Sequence, residues 1–122
     1  MRLNENLESR LNQVAGELKE EISTIARSTG ITVERAMTLT TILSEREAQD
    51  KKWGEQNHDD HYWFLIAAEE FGEIAKAMQE NDPINFQVEV VQLSAVMFAW
   101  MECKYRGMLK SLETKKENEN GS

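Results

Sequence analysis

Residues 61–101 read HYWFLIAAEEFGEIAKAMQENDPINFQVEVVQLSAVMFAWM, two apolar-rich stretches joined by Asn81-Asp82-Pro83. In the first stretch Phe64, Ala67, Phe71, Ile74, Ala75 and Met78 recur in steps of three and four, the period of a helix with one apolar face. That spacing predicts a helix over 61–80. Asp82 is a good N-cap and Pro83 suits a first helical position, so the joint ends one helix and opens another. The second helix is expected over 83–109. From Val88 to Met101 it is apolar on nearly every side, broken only by Glu89, Gln92 and Ser94. Such a helix belongs in the middle of a bundle or under a partner subunit.

Upstream, Leu3, Leu7, Leu11, Val14, Leu18, Ile22 and Ile25 form a narrow stripe on a helix over 3–27. A stripe of that width suits a neighbouring helix or a second subunit. Ser28-Thr29-Gly30 reads as its stop. A further helix begins after Gly30, capped by Thr32, with Ala36, Met37, Leu39, Ile42 and Leu43 as its apolar face. It continues through the polar stretch 44–52. Residues 53–61, WGEQNHDDH, carry no apolar period and read as a loop. The expected fold is therefore all-α, a bundle of about four helices completed by oligomerisation. It divides into an N-terminal amphipathic helix (1–30) available for that assembly, a helical domain (31–112) and a disordered tail (113–122).

Bulk composition narrows the function classes. One proline and six glycines in 122 residues are too few turn-formers for a β-sandwich. A net charge of −8 repels phosphate backbones, so a nucleic-acid polymer is not the expected partner. The single cysteine, Cys103, makes no internal disulfide, in keeping with a reducing, cytoplasmic setting. No apolar h-region opens the chain and no uninterrupted apolar run reaches spanning length, so no membrane role is expected.

The glutamates carry the chemical signal. At about 100° per residue, Glu70 and Glu73 share a face with Trp63, Ile66 and Ala77, while Glu69 and Lys76 point further outward. Glu89 shares its face with Leu93, Val96 and Trp100. Burying ionised carboxylates costs several kcal/mol, on the order of what a fold can spare, unless a cation lies between them. The fourth helix has no lysine or arginine before Lys104 to serve. Oxygen donors alone favour Mg²⁺, with Mn²⁺ as its alternative, over Zn²⁺. The other reading of these glutamates is a solvated helix face in a purely structural oligomer. His58-Asp59-Asp60-His61 brings to mind the HD-type metal phosphohydrolases, but those need further histidines, and the chain has only two.

Glu69-Glu70-Phe71-Gly72-Glu73 is an EExxE motif, followed after fifteen residues by Glu89-Val90-Val91-Gln92. Lys52-Trp53-Gly54-Glu55-Gln56-Asn57-His58 precedes it. In this order the segments resemble the MazG-like, all-α nucleoside triphosphate pyrophosphohydrolases, whose pattern is EExxE and then ExxD. KWGEQNH occurs ahead of the first motif in one branch. The resemblance spans about half of the chain, Glu45 to Arg106.

The resemblance implies cleavage of a nucleoside triphosphate between its α- and β-phosphates, and a homodimer or homotetramer. Metal ligands would be Glu70, Glu73, Glu89 and Gln92. Glu69, Glu70 and Glu73 are the catalytic candidates, with Glu69 or Glu73 accepting the proton of the attacking water. Lys51 and Lys52 are expected at the outer phosphates, Trp53 or Trp63 on the base, and Gln56 or Asn57 at its edge. His58 is a substrate contact or a loop anchor. Gln92 stands where the pattern has Asp, removing one negative charge. A nucleotide-binding protein with weak or lost turnover is therefore the competing expectation.

Overall fold

The computed structural model describes residues 2–121; within its first helix the side chains of residues 2–8, 11, 14, 15 and 18 lie outside the description. Four helices follow in order, α1 (Arg2–Thr29), α2 (Val33–Trp53), α3 (Asp60–Gln79) and α4 (Pro83–Asn120), with no strand among the described residues. The all-α expectation holds. The α1 stripe residues Leu3, Leu7, Leu11, Val14 and Leu18 fall outside the described side chains; Ile22 is buried and Ile25 is exposed.

Local chemistry sets the boundaries. Gly30 leaves α1 at φ +77°, a left-handed turn that costs glycine little. The Thr32 hydroxyl accepts the Arg35 N–H at 3.1 Å to open α2. Gly54, at φ +72°, closes it, donating its N–H to the Asp50 carbonyl at 2.8 Å. Asp59 caps α3 by accepting the Tyr62 N–H at 2.8 Å, and Asp82 caps α4 by accepting that of Asn85 at 3.0 Å. The loop is thus 54–59, shorter than expected, because Trp53 finishes α2 and Asp59 already starts α3. At the other end α4 does not stop near Leu109 but continues to Asn120, carrying most of the stretch expected as a disordered tail in exposed helix. Its Lys, Glu and Leu residues are strong helix formers, which propagate an existing helix without needing a core.

Helix α4 is the hub. It packs most extensively on α3, also on α2, and least on α1, which leans on α2. Ile22 and Ala26 of α1 meet Ala36 of α2 in one small core, with Ile31 against it. Trp63 of α3 meets Val96 and Ala99 of α4 in the other, with Ile66, Ala67, Trp100 and Cys103 around them. Fully covered alanines, Ala77 and Ala95, stand on α3 and α4, the size that lets helices approach closely.

The buried face of α3 differs from the expected one. Trp63 and Ala77 are buried and Ile66, Ala67, Glu70 and Ile74 are partly covered, whereas Phe64 is 59% exposed, Phe71 66% and Met78 62%. Ala75 is exposed too. The face turned to α4 is therefore the one bearing Glu70, and the aromatic stripe faces away. Both stripes have the helical period; packing of Trp63 and the alanines against α4 selects between them. On α4 itself Val88, Val91, Ala95, Val96 and Ala99 are buried while Val90, Met97 and Met101 are exposed. By length and composition α4 is apolar enough to cross a membrane, and 28% of its most apolar stretch is buried inside the chain.

Candidate active site

Glu70 of α3 and Glu89 of α4 meet across the helix pair. Each has a buried Oε2 with no hydrogen-bond partner. The Glu70 carboxyl is pushed up to about 7. Burial contributes most, followed by hydrogen bonding with and repulsion from Glu89, then repulsion from Glu69 and Glu73. Glu89 is raised as well, by burial first, with its hydrogen bond to Glu70 pulling it down and Glu73 pushing it up. Glu69 and Glu73 themselves are exposed, acting on the pair through their charge. Gln92 is half-buried, one turn beyond Glu89 on α4.

A residue absent from the sequence reading joins them. Glu45 of α2 is half-buried and feels the charge of Glu70. Its carboxyl is raised by burial, partly offset by Arg10 and by a hydrogen bond with Gln49, with Glu70 raising it further. Three helices thus direct carboxylates at one region. Among the described residues, however, no three His, Cys, Asp or Glu side chains stand close enough to chelate one ion.

Beside Glu70 lies a cavity of about 170 Å³, walled by Arg46, Gln49, Asp50, Trp53, Gly54, Gln56, Trp63, Ile66, Glu70, Val96 and Ala99. Four of the sequence-derived candidates line it: Trp53, Gln56, Trp63 and Glu70. Arg46 was not foreseen. Its guanidinium donates to Glu102 at 2.8 Å, to Gln49 at 3.1 Å and to Asp50 at 2.9 Å, forming a braced wall between α2 and α4. Ile42, Glu45, Arg46 and Gln49 follow one another at helical spacing and are all half-buried. That interrupted stripe was the signal available for Glu45 and Arg46.

The remaining candidates stand elsewhere. Lys51 lies 3.8 Å from Glu47 on the outside of α2, and the Lys52 ammonium sits 4.8 Å over the Trp53 ring. Neither lysine lines the cavity. Asn57 is held at both ends: its oxygen accepts from Arg106 at 3.0 Å and its amide donates to Glu55 at 3.1 Å. Arg106 also donates to the Gln56 carbonyl at 3.0 Å and lies 3.3 Å from Glu55. The His58 ring packs on Tyr62 and edge-on to Trp63, and its carbonyl accepts from the Cys103 thiol at 3.7 Å. Asn57 and His58 therefore anchor the loop, while Gln56 and Trp53 reach the cavity. Asp59 is occupied as a helix cap, and Asp60 accepts from Trp100 at 2.9 Å and Lys104 at 3.0 Å. These bonds use the acidic oxygens that an HD-type site would need.

No protein-family model, curated protein or solved structure matches this chain.

Proposed function

We propose that this chain is a cytoplasmic, Mg²⁺-dependent, MazG-like pyrophosphohydrolase converting a nucleoside or deoxynucleoside triphosphate to its monophosphate and pyrophosphate. The observation that carries the reading is the facing pair Glu70 and Glu89, two half-buried carboxyls, each with one covered and partnerless oxygen, beside a cavity walled in part by indole rings. Leaving such oxygens unsatisfied is costly, and a divalent cation satisfies both at once. Their donor chemistry fits Mg²⁺ or Mn²⁺. Glu70, Glu89 and, after side-chain rotation, Glu73 and Gln92 would hold it, with Glu45 in reach of the same region. When bound, the ion supplies charge neutralisation for the phosphates and a more acidic water.

The residues then divide the work. Trp53 and the braced wall around Arg46 and Gln49 orient the nucleoside part. Water attacks the α-phosphorus, the bond from that phosphorus to the bridging oxygen breaks, and pyrophosphate leaves. Glu69 or Glu73, both exposed beside the pair, accepts the proton released by the water. Incubation with a panel of triphosphates and Mg²⁺, following monophosphate and pyrophosphate together, tests this. Absence of both products across the panel overturns the hydrolase reading.

A nucleotide-binding protein without turnover is the second reading. It is favoured by Gln92 and by the lack of a ready three-carboxylate cluster. Binding of a non-hydrolysable triphosphate with Mg²⁺ but no turnover selects it.

The active form is a homo-oligomer, dimer or tetramer. Two surfaces support this: the apolar stripe of α3 and the exposed flank of α4 at Met97 and Met101. The chain exposes 9213 Å², against roughly 6,700 Å² for a compact monomer of this mass.

A further inference from the structure

Arg106 ties α4 to the loop at Gln56 and Asn57. Beyond it, every residue from Gly107 to Gly121 is exposed. The helical arm from Gly107 to Asn120 is about 21 Å long, a length marginal for a helix alone in water. Yet large apolar side chains run along it. Tyr105, Met108 and Leu112 are each more than half exposed, and Met101, Met97 and Val90 extend the stripe back over the bundle, exposed as well.

The stripe reads alike in both directions from Met101. Steps of four, three and four residues lead to Tyr105, Met108 and Leu112 one way, and to Met97, Ser94 and Val90 the other. Such a stripe is self-complementary when two copies run antiparallel about a two-fold axis. Met101 then meets its own copy, Tyr105 the partner's Met97, Met108 the partner's Ser94 and Leu112 the partner's Val90. Ser94 suits its place: the side chain is small, and its hydroxyl already donates to the Val90 carbonyl at 2.8 Å. Beside Ser94 and Val90 lies a groove of about 310 Å³ whose other wall is Met37, Thr41 and Ile42 of α2.

Charge and area point to the same occupant. Three lysines and three glutamates cancel between Gly107 and Asn120, so the arm is neutral while the rest of the chain holds the whole −8. Two copies therefore repel least where their arms lie, whereas a helix lying on a bilayer carries basic residues in excess. The chain exposes about 2,500 Å² more than a compact monomer of its mass, ample for the roughly 800 Å² per partner of a stable dimer. We infer that α4 pairs with α4 of a second copy, antiparallel about Met101, each arm seated in the partner's α2–α4 groove. This gives the proposed oligomer an interface apart from the outer stripe of α3, and it does not depend on hydrolysis.

Thiol bridging tests the register. With the single native thiol removed by Cys103→Ser, Met101→Cys should give a covalent dimer on mild oxidation. Val90→Cys combined with Leu112→Cys should do the same, and Leu112→Cys alone should not. Positions 90 and 112 lie about 33 Å apart along one helix, so any bridge joins two copies. In the otherwise native chain, Leu112→Glu should keep the helical circular dichroism signal and weaken the dimer about tenfold or more by analytical ultracentrifugation. Bridging by Leu112→Cys alone means parallel arms and overturns the inference. An oligomer that forms none of these bridges and ignores Leu112→Glu overturns it too, leaving the assembly to α3. A monomer at every concentration ends both, and one that sediments with vesicles of phosphatidylcholine and phosphatidylserine makes the arm a lipid-binding element instead.

Discussion

Glu70 is where burial and charge meet most sharply. Its proton is held up to about 7 in the folded chain, against an ordinary carboxyl near 4.5. The folded state therefore binds that proton more tightly than the unfolded one. The stabilisation is complete below the ordinary value and is lost as pH rises through about 7, with Glu89 contributing in the same direction. Metal-free protein should melt at a higher temperature near about pH 5 than near about pH 8, and Glu70→Gln should flatten that slope. Thermal unfolding in chelator checks both. Mg²⁺ competes with the same proton, so it should raise the melting temperature more on the alkaline side. Glu70→Gln should also lower Mg²⁺-dependent turnover by about 100-fold or more, read from pyrophosphate release. Gln92→Asp adds a carboxylate one turn from Glu89. It should shift Mg²⁺ activation to lower concentration and raise turnover; an unchanged activation curve would remove Gln92 from the proposed metal site.

Between elements, the joint of α2 and α3 depends on α4. The loop 54–59 makes no apolar core of its own; Arg106 and Cys103 hold it by Glu55, the Gln56 carbonyl, Asn57 and the His58 carbonyl. Arg106→Ala should cost about 1–2 kcal/mol of stability, since several acceptors lose a charged donor at once. Amide hydrogen exchange should quicken across 54–59 and not across α1. Uniform loss of protection would mean that Arg106 supports the whole bundle instead. The anchors also explain a limit of sequence reading here. WGEQNHDDH is rich in groups able to bind ligands, but Asn57, Asp59 and Asp60 are occupied in holding the loop and opening the next helix. Spacing along a loop does not reveal which of its polar groups the rest of the chain will engage.

At the scale of the molecule, the chain leaves apolar surface uncovered. Phe64, Phe71 and Met78 recur every seven residues on the outer side of α3, each more than half exposed. A seven-residue repeat of large side chains is the pattern by which helices pair. Phe71→Glu should shift the mass measured by light scattering from oligomer to monomer, while circular dichroism keeps its helical signal. A wild-type monomer at micromolar concentration would refute the assembly. The net charge of −8 opposes association, so the oligomer should tighten as salt screens it.

The linear order of residues already determined the four helices, the caps at Thr32 and Asp82, the break at Gly30, and the anomaly of Glu89 inside an apolar helix. All of these depend on contacts within a few residues, where period and capping chemistry are decisive. Tertiary structure alone decided which face of α3 turns inward, and with it that Glu70 faces α4 while Phe71 does not. It also brought Glu45 and Arg46 from α2 beside Glu70 and its cavity. A sequence states the period of a helix but not its rotation about its own axis. That rotation follows from how Trp63, Ala77, Ala95 and Ala99 pack between helices far apart in the chain.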